Sequence, residues 1–407
     1  ETSQPRLTAP CPRCSLPRGQ LIHLLIAEPA MAAEPGLALE KLLGPDRPRP
    51  TKKWQTRYVK MMLVGDSGLG KTTLLRTLLS GPGDKLELHD GSETSHREFM
   101  RRPDSLCSTL IWEDDVDKIR WVYRVQDTPG YGDDLNIMNN IKKMKAFVNR
   151  CNEKWLKMEQ DIKRGVDMSL MDDPRIDLCL FCISPHRVRN IDLYYMYELG
   201  QVVPIVPIVT KADTMTIREA EVHRRNVASR LEHPGLPGMK GPINTFQFDE
   251  ETLERAGVSL NNGVYHMPPF LVIASNTVNK EKHKSDPPIY WPQREYMWGT
   301  SEAFNPEHSD LINLRALLFK EACEEISATK RQRFEKWRVQ YLTARTNKLR
   351  KFLVKVATIG AAAVGSVLLY KSELAEPVRK VVNEQLEKLP KLPFPEKKPE
   401  PVKKRGW

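Results

Sequence analysis

The sequence predicts an α/β fold: a mostly parallel sheet covered on both faces by helices. Three observations predict it. From Trp54 onward, short apolar runs alternate with segments of helical spacing, the pattern that βαβ crossovers produce. A glycine-rich turn, Gly65-Asp-Ser-Gly-Leu-Gly-Lys-Thr72, joins the apolar run 58–64 to Leu74, Leu75, Leu78 and Leu79 at helical spacing. The run Leu178-Cys-Leu-Phe-Cys-Ile183 lacks polar alternation, as a strand buried on both faces does.

Each element follows in order. A strand at 58–64 leads through the turn into a helix at 71–80. Residues 81–104 are polar and read as irregular. Strands near 105–113 and 118–126, joined by the acidic turn Glu113-Asp-Asp115, read as a hairpin. A helix rich in Lys and Met covers 135–164. A buried strand at 176–183 and a helix at 190–200 come next. The strand at 202–209 carries two prolines, Pro204 and Pro207, and precedes a helix at 216–232. Residues 233–269 read as a long excursion. A strand at 270–274 follows, and a further helix begins near Glu307.

Lys and Arg number 63 against 52 Asp and Glu, a net charge of +11. That balance points to an anionic partner, a nucleic acid or an acidic membrane face. No aromatic-basic groove pattern is present, so an anionic phospholipid membrane is expected and a nucleic acid is not. The seven cysteines form no disulfide framework, which predicts a reduced, cytoplasmic protein. Cys179 and Cys182 are three apart on a strand and face opposite sides, a poor ligand pair. Cys11-x-x-Cys14 lacks the second half of a zinc site. Residues 1–50 are proline-rich and aperiodic and read as disordered. No secretory signal is evident, and Met31-Ala-Ala-Glu reads as an ordinary start, leaving 1–30 as upstream sequence or a fragment's edge.

The turn at 65–73 fits the pattern G-x-x-x-x-G-K-[ST]. Backbone N–H groups of Gly65, Asp66, Ser67, Gly68, Leu69, Gly70, Lys71, Thr72 and Thr73, with the helix N-terminus behind them, form a cradle for phosphate. Lys71 would reach the β- and γ-phosphates, and Thr72 would give its hydroxyl to Mg²⁺. Asp127-Thr-Pro-Gly130 ends a strand: Asp127 can hold Mg²⁺ through water and Gly130 can offer its N–H to a γ-phosphate. Thr210-Lys-Ala-Asp213 ends another. The Asp213 carboxylate can accept both N1–H and the 2-amino hydrogens of guanine, donors that adenine lacks, while the Lys211 stem lies along the base. Ala274-Ser-Asn276 completes the base pocket. Four such elements at strand ends predict a guanine-nucleotide domain using GTP or GDP with Mg²⁺. Tyr131 stands where small switch GTPases place a water-orienting glutamine, so hydrolysis should be slow or use a group from elsewhere.

These motifs, with Arg294-Glu-Tyr-Met-Trp-Gly299, Asn305-Pro-Glu-His-Ser-Asp310 and Leu314-Arg-Ala-Leu-Leu318, resemble the septin family over 54–327, in a divergent, algal- or protist-like form. The resemblance implies a P-loop GTPase domain carrying the septin unique element. It implies that Arg294 contacts the guanine and that Trp298 lies at an interface formed across two nucleotide pockets. It also implies a slow, largely structural GTPase that forms homo- or hetero-oligomeric filaments with itself or other septins, associated with membrane and cytoskeleton at the cell cortex or division site. The sequence departs from the family pattern in three places. Ala274 replaces a glycine, the loop His186-Arg-Val-Arg189 is short and basic, and no threonine in 81–109 aligns with the first-switch position, Thr94 and Thr109 both staying open. Because that loop reaches the neighbour's pocket in septins, Arg187 is the expected arginine finger in trans, with His186 and Arg189 at the interface.

The expected organisation is a Pro-rich extension at 1–53 with a basic end, the GTPase domain at 54–327, and a basic helix at 328–355. A hydrophobic segment at 356–370 and an amphipathic, then disordered, tail at 371–407 complete it. The basic stretch 51–57, with Trp54, suits an acidic membrane surface or a solvated helix end. The helix at 328–355 allows a short coiled coil, although Arg345 and Lys348 interrupt its seam. Segment 356–370 is short for a span, and reads as membrane-inserted or as a buried or interfacial helix. The alternative function is a membrane-tethered switch GTPase of the organelle-import-receptor kind.

Overall fold

The computed structural model describes residues 54–387 except 81–84, 90–95, 116–117, 135, 162–170, 259, 262–263, 266–267, 285–288 and 372–375. The expectations for 1–53, for Thr94 and for the tail beyond 387 therefore lie outside the described residues. Two units divide the chain after Phe334.

In the first unit, β1 (Gln55–Gly65) turns into α1 (Lys71–Leu79), and β2 (Lys85–Glu87) and α2 (His96–Arg101) follow. The hairpin β3 (Cys107–Asp114) and β4 (Ile119–Gln126) leads to α3 (Ile137–Asp161), β5 (Leu178–Ile183), α4 (Asn190–Gly200) and β6 (Ile205–Thr210). Then come α5 (Ile217–Glu232), α6 (Glu250–Arg255), β7 (Leu260–Asn261), β8 (Val264–Tyr265) and β9 (Phe270–Val272). The unit closes with α7 (Lys280–His283), the hairpin β10 (Gln293–Tyr296) and β11 (Gly299–Glu302), and α8 (Leu311–Ala316).

The main sheet has seven strands in the order β2-β3-β4-β1-β5-β6-β9. Strands β4, β1, β5, β6 and β9 run parallel, and β3 is antiparallel to both its neighbours. Every residue of β5 and β6 is buried, which accounts for their unbroken apolar sequences. Pro207 is tolerated inside the sheet because β6–β9 pairing begins one residue later, at Ile208, so no ladder bond is asked of its missing N–H. Thr216 starts α5 with a reciprocal cap: its hydroxyl accepts from the Glu219 N–H and the Glu219 carboxylate accepts from the Thr216 N–H.

Three stretches differ from expectation. Within 81–104, β2 pairs with β3, and α2 buries Phe99 against Phe147, their rings 5.0 Å apart. Both elements are too short for periodicity to reveal. The excursion 233–269 holds α6 and the β7–β8 pair, and the helix expected near Glu307 begins at Leu311. Cys179 and Cys182 lie fully buried in β5, and burial pushes the Cys182 thiol up to about 12, consistent with core packing.

The last helix of the first unit, α9 (Cys323–Lys371), begins there and runs on into the second. Its base is fixed by charge. Buried Lys330 bridges Asp173 (3.0 Å) and Asp177 (2.8 Å) and donates to the Tyr58 carbonyl at 3.1 Å. Arg175 lies between the Trp155 and Phe334 rings, 4.2 and 4.7 Å from their centroids. In the second unit the described side chains from Leu342 to Ile359 are exposed, and α10 (Glu376–Glu387) follows. Among the described residues no helix is long and apolar enough to cross a membrane. Side chains 360–371 lie outside the described set. Of the basic stretch 51–57, residues 55–57 form the start of β1, and Lys118 lies over the Trp54 ring at 4.9 Å.

Candidate nucleotide site

The turn 65–73 leaves the C-terminal end of β1 and enters α1 at Lys71. Gly70, the N-cap, takes φ of 81°, a left-handed conformation that glycine adopts without strain. A Cβ placed there, or at Gly68, would meet nothing within 4 Å, so the positive φ and not crowding is what calls for glycine at both positions. Lys71 is buried and donates from Nζ to the Asp66 carbonyl at 2.7 Å, while Lys211 donates to the Gly68 carbonyl at 2.7 Å. Leu69 is buried at the turn's edge, and the Thr73 carbonyl accepts from Thr77 at 2.9 Å.

Asp127 follows β4 and is wholly buried. Its Oδ2 accepts from the Thr72 hydroxyl at 2.5 Å and its Oδ1 from the Thr128 N–H at 2.9 Å. The two oxygen donors that sequence assigned to Mg²⁺ thus stand together. They suit a hard cation that would take its remaining oxygens from phosphate and water. Gly130 packs directly on the phosphate turn: a Cβ would lie 2.5 Å from Ser67 Cα, so only glycine permits this approach. Tyr131 points into the core. Its ring stacks on Tyr195 at 4.8 Å and its hydroxyl donates to Asp192. Burial and the Asp192 charge hold that hydroxyl above the ordinary tyrosine range.

The candidate base pocket draws on two segments distant in sequence. Lys211 takes φ of 55° after β6, and Asp213 lies two residues on with its side chain fully enclosed. Asp213 Oδ2 accepts from the Tyr296 hydroxyl and from Arg294 Nη1 at 2.8 Å. Its Oδ1 is buried without a hydrogen-bond partner among the described residues. An enclosed carboxylate with one unpaired oxygen fits guanine, which brings two N–H donors; pairing both would require Tyr296 or Arg294 to yield at Oδ2. Burial beside Asp213 pushes the Tyr296 hydroxyl up to about 12, so it stays a donor. Ala274, half-buried after β9, leads into Ser275, whose N–H reaches Thr77 (3.2 Å) and whose hydroxyl reaches the Gln293 carbonyl (2.6 Å).

At the hairpin tip Met297 is fully exposed and Trp298 is 80% exposed, stacked on Tyr296 at 4.8 Å. In the loop after β5, His186 takes φ of 66° and its Nε2 lies 3.4 Å from the Thr214 hydroxyl. Arg187 is exposed. Arg189 turns inward within its own chain, pairing with Asp66 of the phosphate turn at 2.6 Å and with Asp192 at 2.8 Å. Thr109 lies inside β3, paired with Glu87 and Arg124. Sequence reasoning missed Tyr296, inside a motif it had quoted, and two histidines of the 81–104 stretch. His89 Nε2 lies 3.6 Å from Asp127 Oδ2, and His96 Nε2 donates to the Gly130 carbonyl at 3.0 Å. Neither histidine has a local pattern; only the fold brings them to the motif.

A family model described as Septin matches residues 56–351. Septin-2B of Xenopus tropicalis is 31% identical over 294 residues, 69% of this chain and 75% of that protein. Septin-9 of Homo sapiens is 31% identical over 289 residues, with 69% of this chain and 45% of that protein covered. Among solved structures, the septin GTPase domain from Chlamydomonas reinhardtii matches with a TM-score of 0.64 and 54% identity, covering 70% of this chain and 99% of that one.

Proposed function

The chain belongs to the septin family, a GTP-binding family, and from that membership we propose that it slowly hydrolyses GTP and polymerises through interfaces that face the nucleotide. Its partners are copies of itself or other septins. The filaments lie on anionic membrane in the cytoplasm, at the cell cortex or division site, and scaffold cytokinesis or cortical organisation. Thr72 and Asp127 would hold the Mg²⁺ that comes with the nucleotide and neutralises its phosphate charge. Tyr131, packed in the core, supports slow turnover, because it leaves no water-orienting side chain at its position. Exposed Arg187 is the residue that would enter a neighbour's pocket, while Arg189 stays on Asp66.

The observation that carries this reading is the unpaired Asp213 oxygen, enclosed behind Arg294 and Tyr296 and next to the bare Met297–Trp298 tip. Arg294, Tyr296 and the exposed tip belong to one hairpin, which would join base recognition to a surface for a neighbour. Asp213→Asn tests it. Two charge-assisted bonds at about 1.5–3 kcal/mol each make the expected loss of GDP affinity roughly 10²–10⁴-fold, with xanthine nucleotides gained. An Asn variant that holds GDP as tightly as the parent, and still rejects xanthine nucleotides, would remove the base assignment.

A further inference from the structure

We propose that His89 is a positioning residue for the Asp127 carboxylate, its ring N–H joining the Thr72 hydroxyl at Oδ2 when nucleotide and Mg²⁺ bind. The proposal rests on the reading that this pocket takes Mg²⁺ with a guanine nucleotide. The His89 side chain is only 2% exposed and Asp127 is fully enclosed, with Nε2 and Oδ2 3.6 Å apart. Neither ring nitrogen of His89 has a hydrogen-bond partner among the described residues. A buried imidazole with both nitrogens unpaired is unfavourable, so the position implies a partner that arrives with the ligand. The residue's backbone is held in place: the His89 main-chain N–H donates to Ser108 Oγ at 3.2 Å, and Ser108 is itself fully buried in β3.

The added bond follows from the valences. Asp127 Oδ1 is fixed by the Thr128 N–H, and Oδ2 is served by the Thr72 hydroxyl. Thr72 can give a hydroxyl lone pair to Mg²⁺ and keep its hydrogen on Oδ2, an oxygen with room for a second donor. The His89 tautomer with its hydrogen on Nε2 would supply that second donor from 3.6 Å away, directly or through a water. His96 supports the same corner at its other end, donating to the Gly130 carbonyl at 3.0 Å. His89 and His96 thus stand at the two ends of the Asp127–Gly130 corner.

The test is a Mg²⁺ titration of GDP dissociation, using fluorescent GDP on the full chain and its His89→Leu and His89→Gln variants. Leucine keeps the volume and loses the N–H; glutamine keeps an N–H. The Leu variant should raise the half-maximal Mg²⁺ concentration roughly 10–100-fold, the range for ligand-supporting groups, with GDP affinity in EDTA unchanged. The Gln variant should recover most of that shift. A Leu variant with the parent's Mg²⁺ midpoint overturns the proposal, and so does an equal loss with and without Mg²⁺. If the Leu variant does not fold, the ring ¹⁵N resonances of His89 in the unmutated GDP complex decide: they should move on Mg²⁺ addition, and no movement refutes the role. Failure of the parent itself to bind GDP would instead refute the nucleotide reading.

Discussion

Tyr131 is closed on three sides by Tyr195, Phe181 and the Asp192 carboxylate, and that packing, more than its chemistry, removes it from catalysis. Replacing it with the glutamine of small switch GTPases should therefore not speed hydrolysis. Tyr131→Gln would leave a core gap and take one donor from Asp192, which keeps Arg189, costing about 2–4 kcal/mol by urea unfolding at saturating GDP. Faster turnover in a variant of unchanged stability would contradict this. Lys71→Ala should abolish binding of GTP and GDP alike, measured by fluorescent-nucleotide titration, because the cation is lost from the buried floor of the turn. The motifs around these residues were legible because each is contiguous and sits at a strand end. His89 and Tyr296 were not, since their partners, Asp127 and Asp213, are distant in sequence and only the sheet brings them together.

Two elements carry energetics that the sequence pattern hid. The β10–β11 hairpin puts the Tyr296 hydroxyl on Asp213, where it would compete with guanine for Oδ2 under the proposed reading. Tyr296→Phe should hold GDP at least as tightly as the parent in calorimetry, while a tenfold loss would mean the hydroxyl assists the base. At the base of α9, burial raises the Asp177 carboxyl to about 6 despite Lys330 beside it. The folded state then binds the proton more tightly than the unfolded chain. Asp177 therefore lowers stability as pH rises from about 4 to about 6, and is neutral in slope above that. Relative to Asp177→Asn, wild-type protein should lose melting temperature across that window and not beyond; a parallel pair of curves would refute it. Lys330→Met would leave Asp173 and Asp177 facing each other, at about 3–5 kcal/mol. Periodicity found the long strands and helices, whose apolar faces repeat. It missed β2, α2 and the hairpin, which are held by pairing and single anchors such as Phe99.

For the whole chain, charge and exposed apolar surface set what it meets. The exposed side chains Leu349, Phe352, Leu353, Val356 and Ile359 stand among Lys348, Arg350, Lys351 and Lys355, a composition suited to an acidic interface. Deleting 352–370 should reduce flotation with anionic liposomes and spare nucleotide binding; undiminished flotation would leave the 51–57 stretch as the remaining candidate. The central claim is that the active pocket is completed by a second subunit at its nucleotide face. Turnover per subunit across a dilution series tests it most directly, in the parent and in Arg187→Ala. Turnover should rise with concentration in the parent and stay slow, with GTP still bound, in the variant. Turnover that is flat with concentration, or unchanged by the substitution, would contradict it.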